Sequence, residues 1–343
     1  MKLNQKTIGF ALLLIVTLLS MNIRSTQLGD RAIVEALGVD YSESGYTVTA
    51  QVYNPTADDN AKSQTKILSG SGDNIAQAIE DINRKNSKTL YLSHNSFIAL
   101  GLECASMGIE EVLDFFQNEP QTRPDILMVL TDEAGELIKF TNDENTTPAK
   151  SVAEILNKNA QNGTLCDMRL YEILRLKETI TSDFMMALVT NTDTSINPKG
   201  ALVFKENSPA VLLTEDEMLG YNLITGNVKD AFVSVNNKGV TIKNSYSRIQ
   251  TNVMDETIEI RINIDVNVTI NEEDITETLN ELKEDLEEKV YDSVETALFQ
   301  NGCDIFEFGK IIRKNHPKLL RYYKNWSNNQ KITLFTAVEC HIE

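Results

Sequence analysis

Little in this chain suits metal or nucleophile chemistry: its 343 residues hold three histidines, four cysteines and a single tryptophan. Cys104, Cys166, Cys303 and Cys340 lie far apart with no Cys-x-x-Cys pair, which excludes a zinc ribbon and a dithiol redox motif. Four cysteines allow three pairings, and spacing does not choose among them. Buried free thiols are the expectation, because a chain of this length needs no staples. His94, His316 and His341 make no ligand pair at i, i+3 or i+4, and Cys340-His341 on a strand would face opposite ways. No metal and no cofactor are therefore expected. Positive charge is scarce as well: 32 Lys and Arg stand against 50 Asp and Glu, a formal net charge of -18. Such a surface repels phosphate backbones, so nucleic acid is set aside as a partner. The chain shows no internal repeat and no low-complexity tract.

Long apolar runs are absent with one exception. Lys2 and Lys6 precede an uncharged stretch from Thr7 to Ile23, almost wholly apolar between Ile8 and Leu19. A basic flank before a short apolar run is the pattern of an export signal, and it puts the remainder of the chain outside the cytoplasm. As a helix, Ile8 to Leu19 covers only about 18 Å against a hydrocarbon core of about 30 Å, so it is marginal as a span. Residues 1–23 are read as a signal or anchor segment.

Beyond it the pattern is α+β. Ala32–Val39 and Tyr46–Tyr53 read as a hairpin, and Thr65–Ser69 as a third strand. A Gly70-Ser71-Gly72 turn and an Asp73 cap should then lead into a helix striped by Ile75, Ile79 and Ile82. Leu90–Leu100 is expected as one strand, Met107–Phe116 as a helix, Ile126–Leu130 as a buried strand, and Ala149–Ala160 and Met168–Thr179 as helices. Pro198-Lys199-Gly200 marks the expected boundary between an N-terminal α/β-type domain, 24–195, and a C-terminal α+β domain, 196–343, divisible near 250. In the second domain a hairpin over 201–213 precedes a short helix from Thr214 to Gly226, with further strands at 231–235 and 240–250. The cleanest signal is "TIEIRINIDVNVTI", where Ile258, Ile260, Ile262, Ile264, Val266, Val268 and Ile270 alternate without a miss. That is a long strand with one dry and one wet face. Asn271 should cap a long amphipathic helix with the stripe Leu279, Leu282, Leu286, Val290, Val294 and Leu298, laid on an antiparallel sheet that the last strand, "KITLFTAVECHIE", completes.

Motifs with chemical promise dissolve on inspection. Ser93-His94 would face opposite ways on a strand, and "SGSGD" lacks the Gly-Lys-Ser/Thr of a phosphate loop. The acidic run "NEEDITETLNELKEDLEEK" has no calcium-loop spacing and reads as the solvated face of the long helix. No catalytic residues are assigned, and the protein is read as not an enzyme. One cluster stands out in an acidic chain: Lys310, Arg313, Lys314, Lys318, Arg321 and Lys324, beside Tyr322, Tyr323 and Trp326. It reads as a charged outer face, and it is the candidate contact for anionic lipid headgroups or an acidic partner.

Three stretches carry a family resemblance. "CDIFEFGKIIRKNHPKLLRYYKNW" resembles the C-terminal signature of the Ger(x)C family, the C subunits of bacterial spore germinant receptors. "KGALVFKENSPAVLLTEDEMLGYNLITGNVK" is similar to its middle segment. "AIVEALGVDYSESGYTVTAQVYNP", "LYLSHNSFIALG" and "GIEEVLDFFQNEPQTRPDILMVLT" are similar to its N-terminal domain. The resemblance implies successive sheet-and-helix domains without catalytic residues, on the outer face of the spore inner membrane. It implies work beside the membrane A and B subunits of the receptor, and a role in nutrient-triggered germination. Family members carry a lipid-bearing cysteine about ten residues before the first strand; here that position is Asn22, and an amide forms no thioether. Lipidation is thus not expected, and the apolar segment is expected to stay as an uncleaved anchor. The alternative is a free-standing exported ligand-binding or adhesion protein.

Overall fold

Two sheets organise the chain in a computed structural model that describes residues 31–53, 65–107, 109–140, 147–179, 182–192, 194–254, 257–270, 275–316 and 331–342. In the first sheet β1 (Arg31–Ser42) and β2 (Gly45–Tyr53) form the expected hairpin, and β3 (Thr65–Gly72) adds antiparallel to β2. A short β4 (Thr89–Tyr91) pairs with the start of β1. On the far side of β1 the strands run parallel: β5 (Phe97–Gly101), β6 (Leu127–Thr131) and β7 (Phe184–Asn191). β5 and β6 are buried at every residue, as strands covered on both faces must be. β8 (Ile196–Lys205) and β9 (Ser208–Leu213) close the sheet antiparallel. The division expected at 195/196 falls at the β7–β8 connection, and the sheet continues across it; Pro198 lies within β8, paired with Val189.

Helices cover this sheet. α1 (Ile75–Lys85) packs on β3 and is capped by Asn74, not by Asp73: the Asn74 side chain accepts the Gln77 N–H at 2.9 Å. Gly70 and Gly72 belong to β3 and form no turn. A Cβ on Gly70 would lie 2.5 Å from the Ala78 carbonyl, so the missing side chain is what lets the helix lie so close. The expected strand Leu90–Leu100 is broken between β4 and β5 by a 3-10 turn at Leu92–His94, where the Asn95 N–H bonds the Leu92 carbonyl and the Ser96 N–H reaches Glu35 O at 2.8 Å. α2 (Leu102–Ser106) and α3 (Glu110–Asn118) come next, so the helix expected from Met107 starts three residues later. α4 (Ala134–Lys139) and β7 are elements that the sequence pattern does not predict. α5 (Pro148–Gln161) and α6 (Leu170–Lys177) match the expected pair.

α7 (Glu215–Thr225) enters through a Thr214–Glu217 capping box and leaves at Gly226, φ +73°. The second sheet then forms in the order β10 (Lys229–Val235), β11 (Lys238–Met254), β12 (Thr257–Ile270), β13 (Lys331–Ile342). In β12 every residue of the alternating set from Ile258 to Val268 is buried. Against it lies α8 (Ile275–Val294), extended by a π turn over Glu295–Gln300, with Leu282, Leu286, Val290, Val294 and Leu298 buried. The expected Asn271 cap lies outside the described residues. The antiparallel expectation needs one correction: β13 runs parallel to β12. α8 and α9 (Phe308–Asn315) stand between the two strands in sequence, and such a crossover is what returns a chain to enter the sheet in the same sense. Gly220 of α7 meets the backbone of α8 so closely that a Cβ there would sit 2.1 Å from Lys289 O.

Candidate functional site

The segment Cys303–Asn315, which leads into and includes α9, combines buried aromatics with charge. Asp304, 2% exposed, turns its carboxylate onto the start of α9, accepting the N–H of Phe308 at 2.9 Å and of Gly309 at 2.7 Å. Its N–H donates to the Asp183 carboxylate at 2.8 Å, just ahead of β7. Burial pushes the Asp304 carboxyl up to about 7, against the pull of those two N–H groups. Phe306 stacks on Phe308 and tilts against Tyr221 of α7. Glu307, in a left-handed conformation at φ +57°, pairs with Arg175 of α6 at 2.6 Å and with Lys310. Burial raises its carboxyl, but the Arg175 and Lys310 bonds outweigh this and hold it below its ordinary value. Nearby, Lys205 of β8 donates to the carbonyls of Asn301 at 3.2 Å and Gly302 at 2.9 Å, and the Asn222 amide of α7 donates to Gly163 O and Leu165 O, both at 2.9 Å. The motif thus fastens the two halves of the chain and presents no reactive group.

The basic cluster is placed in part. Lys310, Arg313 and Lys314 are exposed along α9, while Ile312 of the same helix is buried. Lys318, Arg321 and Lys324, with the neighbouring aromatics, lie outside the described residues, as do Asn22 and the apolar N-terminal run. Among the described residues no helix is long and apolar enough to cross a membrane.

The other sequence candidates take structural places. Ser93 and His94 sit in the 3-10 turn, with the His94 ring tilted against Tyr91. The glycine-rich "SGSG" offers no anion cradle, because the Asp81 carboxylate already accepts the Ser71 N–H. All four cysteines are free; burial raises Cys104 to about 12 and Cys303 and Cys340 to about 11, so none is a ready thiolate. Among the described residues no hydroxyl or thiol is hydrogen-bonded to a histidine. An open groove of about 460 Å³ lies by the Ile249–Asn252 stretch of β11, Glu259 and Arg261 of β12 and Asn315, but its Arg261 is engaged by Glu259 and by the Phe335 ring. On the wet face of the second sheet, Asp265, Glu339 and His341 come together, a grouping that i, i+3 and i+4 spacing does not show. The readable signal is i, i+2 spacing within a strand, completed by a residue of the neighbouring strand.

Comparison with known proteins gives matches over both halves. The model for the spore germination protein N-terminal domain matches residues 24–191, and that for the spore germination B3/GerAC-like C-terminal domain matches residues 199–343. Spore germination protein GerQC of Bacillus cereus is 21% identical over 188 residues, 54% of this chain and 52% of that protein. Spore germination protein KC of Bacillus subtilis (strain 168) is 24% identical over 164 residues, 43% of this chain and 40% of that protein. The chain thus spans about half the length of these relatives, or less. The crystal structure of the GerBC protein shares the fold, with a TM-score of 0.57 at 15% identity, over 89% of this chain and 96% of that one. With the two domain models matched in order along nearly all of its length, the chain belongs to the GerAC-like family of spore germination proteins.

Proposed function

We propose that this protein is a non-catalytic C subunit of a membrane-bound spore germinant receptor. It is needed for nutrient-triggered germination and acts by docking with A- and B-type membrane subunits at the outer face of the spore inner membrane. The observation that carries the reading is the ordered match of both family domains. The physical character of the molecule agrees with it. The joint built on Asp183, Asp304, Arg175 and Glu307 links the two halves of the chain, which suits a scaffold between partners. The basic face of α9, with Lys310, Arg313 and Lys314 exposed on an acidic protein, is the surface offered to anionic headgroups or to an acidic partner; Lys318, Arg321 and Lys324 continue it in sequence. The apolar segment of residues 1–23 anchors the chain in place of a lipid on Asn22.

Germination of a deletion strain tests this. Loss of nutrient response is expected, with rescue by the whole chain and not by the chain lacking residues 1–23, and the A and B subunits should co-purify with the tagged protein. Normal nutrient germination without the gene would overturn the reading.

A further inference from the structure

The outer face of the second sheet brings together side chains that sequence spacing kept apart. Asp265 of β12 and Glu339 of β13 are register partners in the parallel pair, and His341 lies two residues beyond Glu339, opposite Asn267. Ile264, Val266 and Val338 point into the core, so period-2 alternation turns Asp265, Glu339 and His341 to the same wet face. All three are exposed, and their donor atoms lie within 4.8 Å of one another. His341 Nε2 stands 3.3 Å from Asp265 Oδ1. Two ligands held about 2.0–2.1 Å from one tetrahedral ion are themselves about 3.3 Å apart, so this pair already has the separation that shared coordination needs.

The electrostatics point the same way. Two carboxylates at directly opposed strand positions repel, which disfavours the pairing unless a cation lies between them. Among the described residues no Lys or Arg pairs with either, and the contact among the three is the one between Asp265 and His341. Both strands belong to a sheet whose other face is packed against α8, which supports the strands that carry the three ligands.

We propose that Asp265, Glu339 and His341 form a surface site for a divalent transition-metal ion of the zinc class. One imidazole and two carboxylates suit Zn²⁺ and its neighbours in the first row. Ca²⁺ and Mg²⁺ are hard ions that take oxygen ligands and fill vacant positions with water, so the imidazole nitrogen is what favours the zinc class over both. With three protein ligands the ion keeps a position open to water. The ion also clamps the exposed edge strand β13 to β12.

The test is calorimetric titration of ZnCl2 into the chelator-treated full chain in detergent, with MgCl2 in parallel, and Co²⁺ as the spectroscopic probe. The expected result is saturable binding of one Zn²⁺ per chain with no matching Mg²⁺ binding. Removing an outer-shell group alone weakens metal sites by about ten- to a hundredfold, so losing a ligand should cost at least about tenfold. His341→Asn, Asp265→Asn and Glu339→Gln should each show that loss. All three positions are solvent-exposed, and circular dichroism confirms that each variant is folded. The Co²⁺ spectrum should lack a thiolate charge-transfer band, since Cys340 faces the other side of the sheet. Absence of saturable Zn²⁺ binding, equal Mg²⁺ binding, a thiolate band, or variants that bind as the parent does would each overturn the proposal.

Discussion

Asp183 and Asp304 exchange hydrogen bonds across the joint between the two halves of the chain: the Asp183 N–H donates to the Asp304 carbonyl at 3.0 Å, and the Asp304 N–H donates to the Asp183 carboxylate at 2.8 Å. Because the Asp304 carboxylate receives two N–H groups of α9, one buried residue holds the joint through its backbone and, through its side chain, the helix that bears the basic face. A motif that looks like a functional signature in sequence is here an anchoring device.

Replacing Asp304 by Asn should destabilise the protein by roughly 1–3 kcal/mol, because the amide has one oxygen to offer two buried N–H donors. The pH dependence has a definite sign. Burial raises the Asp304 carboxyl from 3.8 to about 7 in the folded chain, so between those values the folded state holds a proton that the unfolded state has released. Stability from this group is therefore full below the lower value and is lost as pH rises through the upper one. Burial raises Asp183 too, in the same direction. Urea titrations at about pH 5 and about pH 8 should show the gap between parent and Asp304→Asn widening at the lower pH. A gap independent of pH would mean that the carboxyl is not raised.

Gln51 bears a second structural role that no motif marks. It is 1% exposed on β2; its amide N–H donates to Ile138 O at 3.1 Å, at the end of α4, and its oxygen accepts the Ala149 N–H at 2.7 Å, in the first turn of α5. Gln51→Leu keeps the volume but strands one buried carbonyl and one buried N–H. The expected cost is about 2–6 kcal/mol by chemical denaturation, since each unsatisfied group costs about 1–3 kcal/mol.

Legibility in the sequence tracks the range of the forces involved. β12 is legible because alternation is a local pattern fixed by the pleat, and α7 because Thr214, Glu217 and Gly226 carry both of its caps. β7 escapes notice because "FMMALVTN" is buried on both faces and shows no period, and α4 because six residues with a glycine make less than two turns. The parallel sense of β13 depends on the route of the intervening helices. The Asp183–Asp304 exchange joins residues 121 apart, and the Asp265–His341 pair residues 76 apart. Neither leaves a trace in spacing: the first exists only once the two halves of the chain are packed together, and the second only once β12 and β13 are in register.

Gly220 should tolerate no side chain. In α7 it faces α8, and an added Cβ would lie 2.1 Å from Lys289 O and 2.6 Å from its carbonyl carbon, with a rigid helix backbone on both sides. Ala is the better helix former by about 1 kcal/mol, so a purely local view expects Gly220→Ala to stabilise. Steric overlap reverses the sign, and a net loss of about 1–3 kcal/mol is expected from forced separation of the two helices. A rise in melting temperature would mean that α7 and α8 separate at little cost to admit the methyl group.

Arg313 and Lys314 separate a contact surface from a merely solvated one. Both are exposed in the last turn of α9, and their neighbour Ile312 is buried, so neutralising them leaves the packing of the helix intact. Loss of two cations near a helix C-terminus costs about 0.3–1 kcal/mol each, and the fold survives that. Each basic residue against an anionic bilayer is worth about 1 kcal/mol, so Arg313→Gln/Lys314→Gln should weaken partitioning onto phosphatidylserine-containing vesicles by about 2 kcal/mol, roughly thirtyfold. The difference should shrink as salt is raised through the range in which the Debye length falls from about 10 Å to about 3 Å. Sedimentation with vesicles measures it, and neutral phosphatidylcholine vesicles should not distinguish parent from variant. Equal partitioning onto anionic vesicles would remove lipid headgroups as the target of this face.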